Sequence, residues 1–236
     1  MKKMNYLGIS AGVLLGALTQ GCDVVDSSQV SPSTVYSGYS AHYNEQTGSA
    51  NYSAHFSVGG STGTVLELDG SSTVEIDGSS MGMERDIFND ITYVDTVQAS
   101  VQTYQSGHEF YFRDQNGNVF RNDFSFPTLV EVASGPTVAS LNGFSVNWVA
   151  NGPMDPSDSV TGVVTRSDGM TAQAETNPWG AQNGTLTFAA DALQLLGASQ
   201  VQLTICHTHS AGIQCDASGG YIDISSCSRA TSVTLQ

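Results

Sequence analysis

Apolar side chains in strict alternation, broken at short intervals by glycine, asparagine and serine, constrain this chain more than any other feature it carries. Tyr39, Ala41 and Tyr43 alternate with polar residues. After a turn-like segment at 44–48, Tyr52, Ala54, Phe56 and Val58 alternate again, until Gly59 and Gly60 break the pattern. A period of two sends every second side chain to the same side, so this pair predicts an antiparallel hairpin with one buried face. Phe110 and Phe112 lead into Asp114, Gln115, Asn116, Gly117 and Asn118, and Val119 and Phe120 lead out. An Asn-Gly step between apolar strands predicts a hairpin whose two central residues both take positive φ. Between these hairpins lies a short duplication. Residues 65–72 set Leu66 and Leu68 against Glu67 and Asp69, and residues 74–80 set Val74 and Ile76 against Glu75 and Asp77. Each copy closes on Asp-Gly-Ser-Ser, a turn in which glycine supplies the positive φ. The copies predict neighbouring strands, since a solenoid needs at least about three repeats.

The pattern resets around residues 131–136, which places a boundary near residue 130. Beyond it Phe144, Val146 and Trp148 form a core strand with a large anchor. Leu186 and Phe188 form another, Val201, Leu203 and Ile205 a third, and Val233 and Leu235 the last. Residues 189–197 predict one short helical turn, with Asp191 as N-cap and Gly197 as its stop. Long helical periodicities are missing. The expected fold class is therefore all-β, as two antiparallel β-sandwich domains over residues 34–130 and 131–236. Short strands, an early tryptophan strand and one helical turn between two late strands resemble an immunoglobulin- or fibronectin-like sandwich. The cysteine–tryptophan–cysteine pattern of antibody domains is absent, so the resemblance is architectural and implies no function.

Ahead of the strands stands a segment of different character. Lys2 and Lys3 precede an apolar run at residues 7–18. The run is too short for a bilayer, which takes roughly 20 apolar residues, and is built like a secretory signal peptide. Leu18, Thr19, Gln20, Gly21 and Cys22 then resemble the lipobox of bacterial lipoproteins, with no charge before the cysteine and glycine directly ahead of it. That resemblance implies cleavage before Cys22, a diacylglyceryl thioether on its sulfur and an amide-linked acyl chain, such as palmitate, on its new amino group. Three acyl chains exceed the two signals that stable anchoring takes. Residues 1–21 are then the signal peptide. Residues 22–33 read as the lipidated cysteine and a short flexible tether. The expected address is the bacterial cell envelope, anchored by lipid to the outer membrane. Asp23 argues for the inner membrane instead, because an aspartate there resembles the retention signal of enteric bacteria.

Cleavage removes both lysines. The remainder carries five arginines against 22 carboxylates, a formal charge of −17. A surface so acidic repels nucleic acid and anionic headgroups, so nucleic acid is excluded as a partner and membrane contact is left to the lipid.

Cys206, His207, Thr208 and His209, with Cys215 and Cys227 downstream, form the one segment with a chemical look. His207 and His209 share a strand face and could clamp a metal with a third ligand, while Cys206 points the other way. Export into an oxidising compartment favours a disulfide over a metal. Three cysteines besides Cys22 allow three single pairings. The short spacing favours Cys206–Cys215 and leaves Cys227 free, with neither metal nor cofactor expected. Residues 114–118 place oxygens at alternate positions like the start of a calcium loop. Val119 and Ser125, however, stand where an EF-hand needs glycine and glutamate, and the hairpin accounts for these residues without a metal. His42 and His55 lie on the polar faces of the first hairpin, where they could face each other, with no cysteine or aspartate nearby to complete a ligand set. Glu67 and Asp69 read as a solvated strand face rather than a glycosidase pair. There is no glycine loop of the phosphate-binding kind.

Two functions fit these features. One is a lipid-anchored envelope protein with a non-enzymatic binding or structural role toward a protein or glycan. The other is a lipid-anchored hydrolase of envelope glycan or peptide, working through carboxylates or a triad assembled across the fold. The first needs no feature beyond those seen and is the expectation. Exposed aromatics at one end of a sandwich favour it; a recess of converging carboxylates or a Ser–His pair favours the hydrolase. Replacing Cys22→Ser is expected to abolish lipidation, leaving an unprocessed precursor or a soluble product. Metabolic labelling with an acyl probe checks this, and label that persists in the variant refutes the lipobox.

Overall fold

A computed structural model describes residues 24–99, 104–214 and 218–236. The signal segment, Cys22, Asp23 and Cys215 lie outside the described residues. The chain is all-β, as its alternation predicts. Its first part contains β1 (Val24–Asp26), β2 (Val35–Asn44), β3 (Ser49–Val58), β4 (Thr64–Glu67), β5 (Thr73–Ile76), β6 (Ser79–Ser80), β7 (Gly82–Arg85), β8 (Ile91–Gln98), β9 (His108–Arg113) and β10 (Val119–Phe124). β2 and β3 are the first predicted hairpin, in register from Val35 opposite Val58 to Asn44 opposite Ser49. The outer edge of β3 pairs with β8 along its first half and with β4 at its far end, and β1 lies parallel on β4. A second sheet, ordered β10-β9-β5-β6, supplies the other side of the core. Tyr39, Phe56, Phe110 and Phe112 are buried in that core, with Tyr39 stacked on Phe110 at 4.8 Å between ring centroids. Each such ring removed from water contributes about 1.5–3 kcal/mol.

Three local expectations need correction. The two Asp-Gly-Ser-Ser copies do not lie in neighbouring strands: β4 belongs to the first sheet and β5 to the second, so the turn at 69–72 carries the chain across the core. The β9–β10 hairpin forms as expected but through a five-residue loop, in which Gly117 takes positive φ and Asn116 does not. The segment after Cys22 is not a flexible tether. Val24, Val25 and Asp26 pair with Val65, Leu66 and Glu67, and two 3-10 turns follow at Ser27–Gln29 and Pro32–Thr34. Ser27 is buried. Its hydroxyl donates to Asp69 Oδ1 at 2.7 Å, and Ser28 donates its backbone N–H to the same oxygen and its hydroxyl to Oδ2. The β1–β4 ladder and the Asp69 carboxylate thus hold the segment to the body, and polarity alone was a poor guide to its freedom.

The second part contains β11 (Val130–Ser134), β12 (Val138–Ala139), β13 (Phe144–Ala150), β14 (Ser159–Arg166), β15 (Thr171–Thr176), β16 (Asn183–Phe188), α1 (Ala190–Leu196), β17 (Gln200–Gly212), β18 (Gly220–Cys227) and β19 (Thr231–Leu235). β13 sits between β11 and β16 and presents Phe144, Val146 and Trp148 to a core shared with Leu203 and Ile205 of β17. Trp148 faces Gly184 across the ladder, where a Cβ would stand 2.7 Å from the indole, so only glycine leaves the ring its place. Gly197, at φ +65°, ends α1 as expected. Asp191 is not its N-cap. Ala189 occupies that position, and Asp191 accepts the Ala192 N–H from inside the first turn.

The two parts keep separate cores and share one sheet. β17 pairs with β19 over residues 200–203 and with β18 over residues 206–212, while β14 lies along its other edge. β18 then runs parallel to β2 through eight register pairs, Gly220 with Ser37 to Cys227 with Asn44. Ile222 and Ile224 are buried in the first core, although in sequence they follow all of the second part except β19. The large sheet is also mixed rather than antiparallel, because β1–β4, β12–β19 and β18–β2 are parallel.

The hydroxyls of Ser27 and then Ser28 hold the Asp69 carboxyl below its ordinary value of 3.8. A depressed acid contributes stability above its unfolded pKa and loses it as pH falls through the folded one. Asp69→Asn is therefore expected to melt below the parent at pH 7, with the gap closing as pH drops past 3.8. Thermal unfolding between pH 7 and pH 2 measures it, and a gap unchanged by pH refutes the clasp.

Candidate functional site: a cleft where the two cores meet

The second half of β17 passes between the two cores, and the histidines singled out in the sequence sit there. His207 and His209 share a face, as their spacing requires. Both turn to Asp158, the residue just ahead of β14. His207 Nε2 lies 2.7 Å from Asp158 Oδ2, and His209 Nδ1 lies 2.7 Å from Oδ1. His207 Nδ1 meets the carbonyl of Thr128 at 2.7 Å. A carbonyl only accepts, so Nδ1 carries a hydrogen and donates. The contact between Nε2 and the carboxylate then holds a further proton, since two bare acceptors would repel at that distance. Asp158 Oδ2 also accepts the Asp155 N–H at 2.6 Å. His207 and the Asp158 carboxyl are almost fully buried and His209 is a third exposed. A buried ion pair is tolerated only when its remaining hydrogen-bonding capacity is met, and here it is. The imidazoles that could have clamped a metal are engaged with a carboxylate, and among the described residues no three such side chains are placed to hold a metal ion.

Cys206, on the opposite face, is bonded to Cys227 and not to Cys215. The two are direct partners in the β17–β18 register, so the ladder brings the sulfurs together. Spacing favoured the nearer cysteine because the β18 strand was not anticipated. Closing a loop of 21 residues typically stabilises by about 3 kcal/mol.

His209 opens onto a cleft of about 230 Å³. Residues 122–125 at the end of β10 form one wall, residues 211–214 the other, and Ile222 and Ile224 contribute from β18. Gln214 spans the walls, donating its N–H to Asn122 Oδ1 at 2.8 Å and its side-chain amide to the Asp123 carbonyl. Beyond Phe124 lies a second, more open recess of about 400 Å³ lined by Asp77, His108 and Glu109. There His108 meets Asp77 Oδ2 at 2.7 Å, and the Glu109 N–H donates to Oδ1.

Trp179 is the feature that sequence reading missed. It is 79% exposed and takes φ +51°, a conformation that bulky residues rarely adopt. Asn177 Oδ1 accepts the Trp179 N–H, and Ala181 donates to the Pro178 carbonyl, so the turn is closed beneath the ring. Gly180 packs beside Pro156 and the Met154 carbonyl. The turn that carries Trp179, between β15 and β16, therefore packs against the separate loop that carries Asp155 and Asp158. Pro-Trp-Gly after a strand marks a turn, and that was the available signal.

The other sequence candidates are structural. Asp114 accepts the Asn116 and Asn118 N–H groups and the Asn118 amide, which occupies the carboxylate a calcium ion would need. Glu67 pairs with Arg85 and Asp69 holds Ser27, so they do not act together. His42 and His55 do not face each other, being opposite Asn51 and Gly38. His55 approaches Asp90 at 3.2 Å. His42 Nδ1 contacts Ser225 Oγ at 2.7 Å, a serine–histidine pair within the sheet that lines neither recess. Burial pushes the His42 imidazole below its usual range.

Removing one member of a buried charge pair typically costs about 3–5 kcal/mol. Asp158→Ala is expected to lose stability on that scale, and Asp158→Asn, which keeps an acceptor, to lose less. Urea unfolding measures both; an Asp158→Ala loss under about 1 kcal/mol would show that the cluster does not join the cores.

No protein-family model matches the chain, and no curated protein matches it. Among solved structures, a marsupial T cell receptor is similar over 85% of this chain and 73% of that one, at 9% identity and a TM-score of 0.33. SGBP-B of the Bacteroides ovatus mixed-linkage glucan utilization locus, solved with a mixed-linkage heptasaccharide, is similar over 81% of this chain at 11% identity and a TM-score of 0.21. This chain spans 53% of that protein's length. Likeness at these levels carries no argument about what the chain does.

Proposed function

We propose that this is a lipid-anchored bacterial envelope protein that binds a partner at the Trp179 end of its second sandwich and performs no chemistry of its own. Trp179 carries the reading. An indole held outward on a strained, hydrogen-bonded turn costs the fold free energy unless something covers it. Tryptophan is also the residue most often found at the energetic centre of an interface. The partner is a protein or a glycan of the envelope. The acidic surface disfavours nucleic acid and anionic lipid. The anchor rests on Lys2, Lys3, the apolar run and the Cys22 motif. The hydrolase alternative draws on the Asp158–His209 pair beside the cleft. It lacks a nucleophile in contact with that pair among the described residues.

Immobilised residues 24–236 are expected to retain a component of envelope extract, and Trp179→Ala to weaken its binding at least tenfold, about 1.4 kcal/mol. Equal retention by both forms refutes the tryptophan as the anchor. Turnover of envelope glycan or peptide by the purified chain, lost in His209→Ala, would replace binding with hydrolysis.

A further inference from the structure

The turn between β7 and β8 exposes two apolar side chains. Ile87 is 91% and Phe88 69% exposed. They are not the ends of a slack loop. Asp86 exchanges backbone bonds with Asn89 and Asp90, and its Oδ1 accepts the N–H groups of Phe88 and Asp90 at 2.7 and 2.8 Å. Asn89 takes φ +64°. The Asp86 carboxylate is thereby turned in to the backbone beneath the apolar pair. Asp90 is drawn toward His55.

The place of this turn in the sheet gives it a neighbour. β8 and β4 pair with the same edge of β3, with Tyr93 opposite Ala54 and Val65 opposite Ser57. Residues ahead of Tyr93 therefore run toward the level of Val65. Val65 is the register partner of Val24. The turn at 86–90 and the start of β1 thus lie at the same end of the sheet. Arg85, at the base of the turn, is 2.5 Å from Glu67, which pairs with Asp26. The turn at 59–63 caps the same end, and its Gly59 N–H donates to the Thr34 carbonyl. Residues 27–35 and 58–66 contain no charged side chain, in a chain with 22 carboxylates.

We infer that Ile87 and Phe88 form a second membrane contact, seated in the interfacial layer of the bilayer beside the acylated N-terminus. The inference rests on lipidation at Cys22. Cys22 precedes Val24 by two residues, a reach of at most about 7 Å. The headgroup region on each side of the hydrocarbon is about 5–7 Å thick. A leash of that length keeps this end of the sheet at the headgroups, where exposed apolar side chains enter the boundary with the acyl chains.

The test uses the mature lipidated chain in phosphatidylcholine vesicles. Phe88→Trp is introduced with Trp179→Phe, leaving Trp148, which is buried, as the internal reference. Lipid brominated near the top of the acyl chains is expected to quench the new tryptophan at least twofold and to leave the Trp179→Phe single variant unquenched. Quenching below a tenth, with acyl label on Cys22 and the chain floating with the vesicles, overturns the contact and spares the anchor. Protection of residue 88 by an added envelope protein, in place of lipid quenching, overturns it in favour of a protein partner. Absence of both acyl label and flotation overturns anchor and contact together.

Discussion

One strand carries this structure. β17 is 13 residues long, and its two halves face different cores. Val201, Leu203 and Ile205 fill the second core, after which the strand pairs with β18 and hands the chain back to β2. Eight parallel pairs between β18 and β2 make one sheet of what would otherwise be two. Backbone hydrogen bonds must be satisfied wherever strands are buried. The joining of the cores is therefore settled by the ladder, and the side chains follow.

The junction concentrates what polar chemistry the interior holds. His207 ties β17 to Asp158 at the root of β14 and to Thr128, the residue that leads into β11. Three segments distant in sequence meet on one imidazole, and the disulfide stands next to it on the opposite face. A histidine with both nitrogens engaged has little freedom to act as a catalyst. Its neighbour His209 keeps one nitrogen toward the cleft, and this asymmetry divides support from site. Trp179 lies in a different loop, between β15 and β16, whose Gly180 packs beside Met154 and Pro156 of the loop that holds Asp158.

Much of the fold was legible because period-two alternation is a direct record of a buried face. Tyr39 to Tyr43, Phe144 to Trp148 and Val201 to Ile205 all read correctly. The sheet joining was not legible, since Ile222 and Ile224 alternate in a way that fits any edge of any sheet. Residues 24–33 look polar and loose, and the edge of β4 and the fixed position of Asp69 turn them into structure. Pairing of Cys206 was misread for the same reason: proximity in sequence stood in for a ladder that had not been seen. The site was half visible. His207 and His209 drew notice as ligands, but the group they serve is an aspartate 49 residues earlier, which no spacing rule reaches.

The parallel β18–β2 ladder also imposes an order of events on a chain that emerges from its N-terminus onward. β2 is among the first strands to appear and β18 nearly the last. Until residues 220–227 arrive, a ten-residue strand has one row of amides and carbonyls open, the state most prone to pairing with the wrong chain. Contacts of such long range are slow to form. During synthesis the N-terminal half thus waits, with its hairpin made and its flank bare, for almost the whole of its own sequence to follow.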